Sequence, residues 1–261
     1  ARRWLGLDDP TRPVRTVTPE AIARRGAEDA EARARRAASA LALWLAAGLI
    51  GNTPASAYLD GRGVGPAALG RAPGALRYHP AVDCPERGVP GPAMIAACVK
   101  GGKIVACHRT WLGPRPGGGW GKAPIERPKK ALGAVKGAFI PLWRGASGRP
   151  MAEAPDDDTL VVTEGIEDAL TIALHAPENR VIAAISLNNV AALDLPPVFR
   201  DIVLAWDRDG ENPAAREGRQ KAVRRFANEG RRVREMWPPD GFKDWNAWWC
   251  ATRAMPARSS A

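Results

Sequence analysis

Leu160-Val-Val-Thr163-Glu-Gly-Ile-Glu-Asp168-Ala-Leu and, further on, Asp201-Ile-Val-Leu-Ala-Trp206-Asp-Arg-Asp209-Gly are the stretches that decide the fold. Each is a short apolar run ending in acids, and such a run bounded by polar residues and glycine reads as a buried strand. Val181-Ile-Ala-Ala-Ile-Ser186 and Arg232-Val-Arg-Glu-Met-Trp237 are two more, with helix-like segments at Ile166–His175 and Ala214–Glu229. Strands alternating with amphipathic helices predict an α/β fold. The sheet is expected to be mostly parallel, of about four strands, with right-handed crossovers and helices on both faces.

In an open parallel sheet, ligands gather beyond the carboxyl ends of the strands. There the sequence sets Glu164-Gly165, then Asp207-Arg208-Asp209-Gly210, then Asp240 and Lys243-Asp244-Trp245-Asn246. Carboxylates crowded on one rim raise one another's pKa values, and a hard divalent cation relieves that cost. Asp207 and Asp209 share a direction if the chain stays extended, and Asp168 follows Glu164 by one helical turn. Each acid alone has a structural reading: Glu164 at a helix N-terminus, Asp207 and Asp209 as turn formers, Asp168 as an arginine partner.

Upstream, Thr18-Pro19-Glu20 opens a helix expected to run over residues 19–50, with Arg24, Arg25, Arg33, Arg35 and Arg36 as a solvated face. Met94–Val99 and Ile104–His108 read as a hairpin about Gly101-Gly102. Residues 113–121 form a glycine- and proline-rich loop, which can be mobile without a partner, leading to Lys122, Arg127, Lys129, Lys130 and Lys136. Residues 145–158, ending in Asp156-Asp157-Asp158, look like a linker. The expected domains are therefore an arginine-rich helical segment (1–54), a basic α+β part (55–157) and the acidic α/β part (158–261).

The net charge is +10, and it divides unevenly. Residues 1–150 hold 24 Lys+Arg against 10 Asp+Glu, and residues 151–261 hold 14 against 18. That split fits one half gripping phosphates and the other concentrating carboxylates, although a solvated arginine-rich face has the same composition. Cys84, Cys98, Cys107 and Cys250 contain no paired zinc spacing and suit a reducing cytoplasm; a site joining Cys84, Cys98 and Cys107 to His79 and His108 is the zinc alternative. The apolar run Leu41–Ile50 is too short to span a bilayer, so no membrane association is expected. The chain opens on Ala rather than Met, which leaves room for an upstream domain.

Thr163-Glu-Gly-Ile-Glu-Asp168-Ala-Leu followed by Trp206-Asp-Arg-Asp-Gly resembles the signature of the Toprim domain shared by DnaG-type bacterial and phage primases, topoisomerases and certain nucleases. The resemblance implies Mg2+ (or Mn2+) on Glu164, Asp207 and Asp209 as the catalytic set, with Asp168 and Asp244 as further ligands. One departure is that glycine follows the second Asp at once, as Gly210, where the family often spaces it by two residues. Ala57-Tyr-Leu-Asp-Gly-Arg62-Gly-Val64 is similar to the element opening the basic part of primase cores, and Lys103–Leu112 to that part's strand ending in arginine, here Arg109.

The resemblance thus implies a phage- or plasmid-type DNA primase core. Single-stranded DNA template and nucleoside triphosphates would be held by Arg62, Arg109, Lys122, Lys129, Lys130 and Lys136. A replicative helicase or an upstream zinc-binding domain, neither present in this chain, is the implied partner. Trp111 and Trp120 are candidates for base stacking, although most of the ten tryptophans are expected in the core. A Toprim nuclease and a non-catalytic nucleic-acid-binding subunit are the alternatives. A topoisomerase is disfavoured, because the tyrosines, Tyr58 and Tyr78, both precede the acidic part.

Overall fold

A computed structural model of the chain describes residues 18–208 and 212–254. The predicted N-terminal helix is α1 (Pro19–Ala46). Its first part, residues 18–35, is a unit of its own, with the i,i+4 pairs Arg24–Glu28 (3.7 Å) and Glu31–Arg35. The five predicted surface arginines of α1 are all exposed. The helix stops short of the expected Ile50 because Gly48 leaves it to exchange backbone hydrogen bonds with Tyr78 (2.8 and 2.9 Å). Arg77 donates to the terminal carbonyls of Trp44 and Ala47, a cation where the helix dipole favours one.

Two short helices follow, α2 (Pro54–Gly61) and α3 (Pro66–Leu69). α2 starts at Pro54, and the hydroxyl of its N-cap Thr53 accepts from Ser56 N. After it the chain turns at Gly63 (φ +70°), where a side chain would strike Arg253 and the Trp249 indole.

The basic half forms an antiparallel sheet of β1 (Leu76–Val82), β2 (Gly91–Lys100), β3 (Lys103–Pro114), β4 (Trp120–Lys122) and β5 (Lys129–Gly133). β3 is its spine, pairing with β2, β4 and β5, and the predicted hairpin is β2–β3. Alternation along β3 sorts its side chains. Ala106 and Leu112 face the large core shared with the acidic half, whereas Cys107 and Trp111 face a separate cluster with Ala40 and Trp44 of α1. Cys98 and Cys107 consequently point to opposite sides of the sheet, which removes the zinc alternative.

The second sheet has five strands rather than four, in the order β10–β9–β7–β8–β6. These are β6 (Ile140–Arg144), β7 (Thr159–Thr163), β8 (Arg180–Ala183), β9 (Asp201–Ala205) and β10 (Arg232–Met236). β7 to β10 are parallel, and β6 adds an antiparallel edge from a stretch read as belonging to the basic part. A backbone bridge between Val99 and Phe139 joins the two sheets.

The helices of this half are α4 (Ile166–His175), α5 (Leu187–Val190), α6 (Pro213–Asn228) and α7 (Trp245–Ala254). α4 and α7 cover one face, while α5 and α6 cover the other over Phe199, Trp206 and Phe226. Burying each such aromatic contributes roughly 2–3 kcal/mol. No helix among the described residues is long and apolar enough to cross a membrane.

The segment at 145–158 is more than a linker. Asp158 ends it half-buried, accepting from Nε (3.1 Å) and a terminal nitrogen (2.8 Å) of Arg180, which is 2% exposed. The Arg149 carbonyl and the Ser147 hydroxyl complete the arginine's partners. A guanidinium buried at the start of β8 requires such company, and the acidic end of the segment provides it.

Candidate functional site

A cavity of about 270 Å3 opens at the carboxyl ends of β7 and β9, where the basic sheet leans over them. Five acids line it: Glu164 after β7, Glu167 and Asp168 in the first turn of α4, Asp207 after β9, and Asp244 before α7. Four cations face them: Arg62 from the end of α2, Lys122 from β4, Lys129 from β5, and Lys243.

Local sequence explains several placements. A side chain at Gly165 would come within 2.9 Å of Asp168 Oδ2, so glycine leaves that carboxylate its place beside the start of α4. Ile185, on the cavity wall, holds a left-handed backbone (φ +77°) while its N–H donates to the Glu164 carbonyl (3.0 Å). A β-branched residue in that region costs about 1–3 kcal/mol, and such outliers cluster at functional sites. Asp244 caps α7, accepting from Ala247 N at 2.7 Å.

Asn246, 1% exposed, ties the cavity together. Its N–H donates to Asp168 Oδ1 (2.9 Å), and its side-chain amide donates to the Arg62 carbonyl (3.0 Å) and to Thr171 Oγ1 (3.1 Å). Its Oδ1 accepts from the Arg62 guanidinium at 3.3 Å.

Sequence reasoning passed over Glu167 and Tyr58 as site residues. Glu167 pairs with Lys122 (3.0 Å) and accepts from the Tyr58 hydroxyl. Burial alone would raise its carboxyl, but Lys122 and Lys129, together with the tyrosine, hold it well below the ordinary range. Burial and the neighbouring carboxylate push the Tyr58 hydroxyl upward, so it stays a proton donor. The acid stood in the Glu-Gly-Ile-Glu-Asp run, but its partners arrive from other elements.

Asp168 behaves in the opposite way. Burial first, then the nearby Asp244 and Glu167, raise its pKa to about 6 against the opposing Asn246 N–H. His108, half-buried on the same side of the basic sheet, is held down at about 4 by desolvation of its ring and by Lys129.

The remaining expected residues are placed otherwise. Lys129 pairs with Thr110 on β3 and faces the cavity side, while Lys130 pairs with Arg109 on the opposite face. Neither Arg109 nor Lys130 lines the cavity. Arg109 lies over the Trp111 ring at 4.9 Å, and Trp111 is buried, which takes it out of consideration for base stacking. Lys136 is exposed beyond β5, and its carbonyl accepts from Lys100. Asp240 points into solvent, paired with Arg208 (2.7 Å). Asp209 lies outside the described residues.

The oxygen-only acids suit a hard cation such as Mg2+ or Mn2+, which takes a few carboxylates and completes its shell with water and phosphate. Among the described residues no three acids, histidines or cysteines are grouped tightly enough to hold an ion alone. Glu164, Asp168, Asp207 and Asp244 are the carboxylates in the cavity on which such a cation could draw.

The model of the Toprim domain matches residues 159–254, which contain the parallel strands and every acid of this cavity. Residues 159–254 form a Toprim domain. Residues 34–142 match a domain of unknown function, DUF7146. Three of the four cations, Arg62, Lys122 and Lys129, thus come from this second module, and Lys243 from residues 159–254. No curated protein matches the chain in sequence. Among solved structures, the primase fragment of the bacteriophage T7 primase-helicase protein is similar at 17% identity and a TM-score of 0.42, covering 79% of this chain and 75% of that one. The E. coli primase catalytic core is similar at 14% identity and a TM-score of 0.47, covering 74% and 67%.

Proposed function

We propose that the chain is the catalytic core of a primase, joining nucleotides on a single-stranded DNA template with a divalent cation in the cavity. The observation that carries this reading is the facing of Toprim acids by Arg62, Lys122, Lys129 and Lys243 across one cavity. In the reaction, a 3′-hydroxyl oxygen bonds to the α-phosphorus of an incoming nucleoside triphosphate, and pyrophosphate leaves. Glu164 and Asp207, with Asp209 two positions further along the chain, would hold the cation, and Asp168 and Asp244 would support it. When bound, it supplies Lewis-acid stabilisation of charge on the phosphate oxygens.

The chain's own residues handle the phosphates. Arg62, Lys122, Lys129 and Lys243 offset the charge of template and triphosphate. Glu167 aims Lys122 and opposes the lowering of its pKa by burial, and Asn246 fixes Arg62 relative to Asp168. Arg109, Lys130 and Lys136, being off the cavity, would act on more distant template phosphates. In this reading residues 55–157 hold the template and 158–261 carry the chemistry. A replicative helicase or a zinc-binding module is the expected partner, and the reducing cytoplasm the setting.

Incorporation of labelled nucleotide on single-stranded template with Mg2+, compared with Asp207→Ala, tests the proposal. Wild-type product lost in the variant supports it, and equal product from both rejects the site. Loss of intact template without incorporation would identify a nuclease.

A second reading is a nucleic-acid-binding subunit without catalysis. It is favoured by the structural work two acids already do, with Asp244 capping α7 and Asp168 accepting from Asn246. It predicts salt-sensitive binding that ignores both Mg2+ and loss of Glu164.

A further inference from the structure

Outside this cavity, α6 carries Arg216, Arg219, Gln220, Val223 and Arg224 on a single stripe, spaced i, i+3, i+4, i+7, i+8. The stripe forms one wall of a second concavity, of about 410 Å3, whose other wall is Glu235 and Trp237 of β10 and its continuation. Trp237 is 37% exposed, and the Arg219 guanidinium lies 5.0 Å from the centre of its ring. Among the described residues none of the three arginines has a carboxylate within 4 Å. The acid in the lining, Glu235, is exposed on the β10 wall and already accepts from Trp206 Nε1 (2.7 Å).

The position of this surface matters as much as its chemistry. Trp237 follows Met236, which pairs with Ala205, and Asp207 lies just beyond Ala205 on the neighbouring strand. The tryptophan and the cavity acid thus leave adjacent parallel strands at the same end of the sheet, on strands roughly 5 Å apart. Strand alternation sets Trp237 toward α6 and Asp207 toward the opposite face, so the two surfaces lie on either side of the same sheet end. From Arg216 to Arg224 the helix rises about 12 Å, the reach of a few nucleotides.

We infer that the α6–β10 surface is a second single-stranded nucleic-acid contact, on which a base stacks against Trp237 while Arg216, Arg219 and Arg224 hold successive phosphates. Guanidinium groups match phosphate oxygens in geometry, and an aromatic face accepts any base, so the contact is independent of sequence. The concavity, of about 410 Å3, has room for an unpaired nucleotide. It is a binding surface and does not require the catalysis proposed above.

The test is fluorescence anisotropy of a labelled 12-nucleotide oligo-dT on the full chain in EDTA, so that cation chemistry plays no part. Trp237→Ala is expected to weaken binding about tenfold, whereas Trp237→Phe retains most of the affinity. Replacing Arg216, Arg219 and Arg224 together by Gln should flatten the slope of log K against log salt by about 2. These are surface changes, and urea midpoints equal to wild type establish that the variants fold. Equal affinity of wild type and Trp237→Ala overturns the inference. So does a duplex of the same length binding more tightly than the single strand, which would make the stripe a duplex contact. A protein that makes no primer yet shows these losses would sink the primase reading alone.

Discussion

Lys122 Nζ stands 3.0 Å from a Glu167 carboxylate oxygen, a pair made by the basic sheet reaching into the first turn of a Toprim helix. Side-chain exposures of 27% and 10% put it well inside the protein, and the Tyr58 hydroxyl donates to the same oxygen. Glu167→Ala leaves an ammonium and a phenol without their acceptor. It should cost about 3 kcal/mol in urea unfolding. Glu167→Gln, which still accepts from Tyr58, should cost less. Replacing both Lys122 and Glu167 by Met should recover much of the loss, and a double-mutant cycle without coupling between them would contradict this account.

Arg180 and Asp158 make the second prediction. Asp158→Ala strands a buried guanidinium and should lower stability by about 3–5 kcal/mol, read from thermal or urea unfolding. Arg180→Lys should also destabilise, because an ammonium cannot reproduce the two-point contact made through Nε and the terminal nitrogen.

His108 makes stability depend on acid. Its pKa in the folded chain, about 4, lies below the ordinary 6.5. The unfolded chain therefore binds the proton more readily. The contribution is complete above pH 6.5 and is lost as pH falls through 4. His108→Gln should flatten the stability profile across that interval, by on the order of 3 kcal/mol between its ends.

Asp168 runs with the other sign. Its folded pKa of about 6 lies above the ordinary 3.8, so the folded chain favours its proton, and that contribution disappears as pH rises through 6. A cation in the cavity would compensate the ionised form. Mg2+ should then raise the melting temperature at pH 7.5 and much less at pH 5, with up to about 2.7 kcal/mol at a hundredfold excess over its Kd. A shift of equal size at both pH values, or none at pH 7.5, would count against a cation beside Asp168.

Much of the fold was legible because its determinants are local. The apolar runs at 160–163 and 201–206 and the helix at Ile166–His175 emerged as β7, β9 and α4. Glycine at 165 announced a close approach that the structure explains by Asp168. Two features were missed for a physical reason. The stretch 145–158 looked like a linker because Asp158 acquires its partner only when β8 brings Arg180 beside it. The fifth strand, β6, carries a proline and runs antiparallel, so nothing in its own residues announces the sheet it joins.

What the sequence determined by itself was the order of strands and helices and the delivery of Glu164, Asp207 and Asp244 to one end of a parallel sheet, since periodicity and strand direction decide both. Tertiary structure alone decided which cations meet those acids. Lys129 and Lys130 are neighbours in the chain, yet strand alternation sends one to the cavity side and the other to Arg109 on the far face. Tyr58 and Glu167, 109 positions apart, touch only because the two sheets share a core. Pairing across such distances depends on register and packing, which no local run of residues encodes.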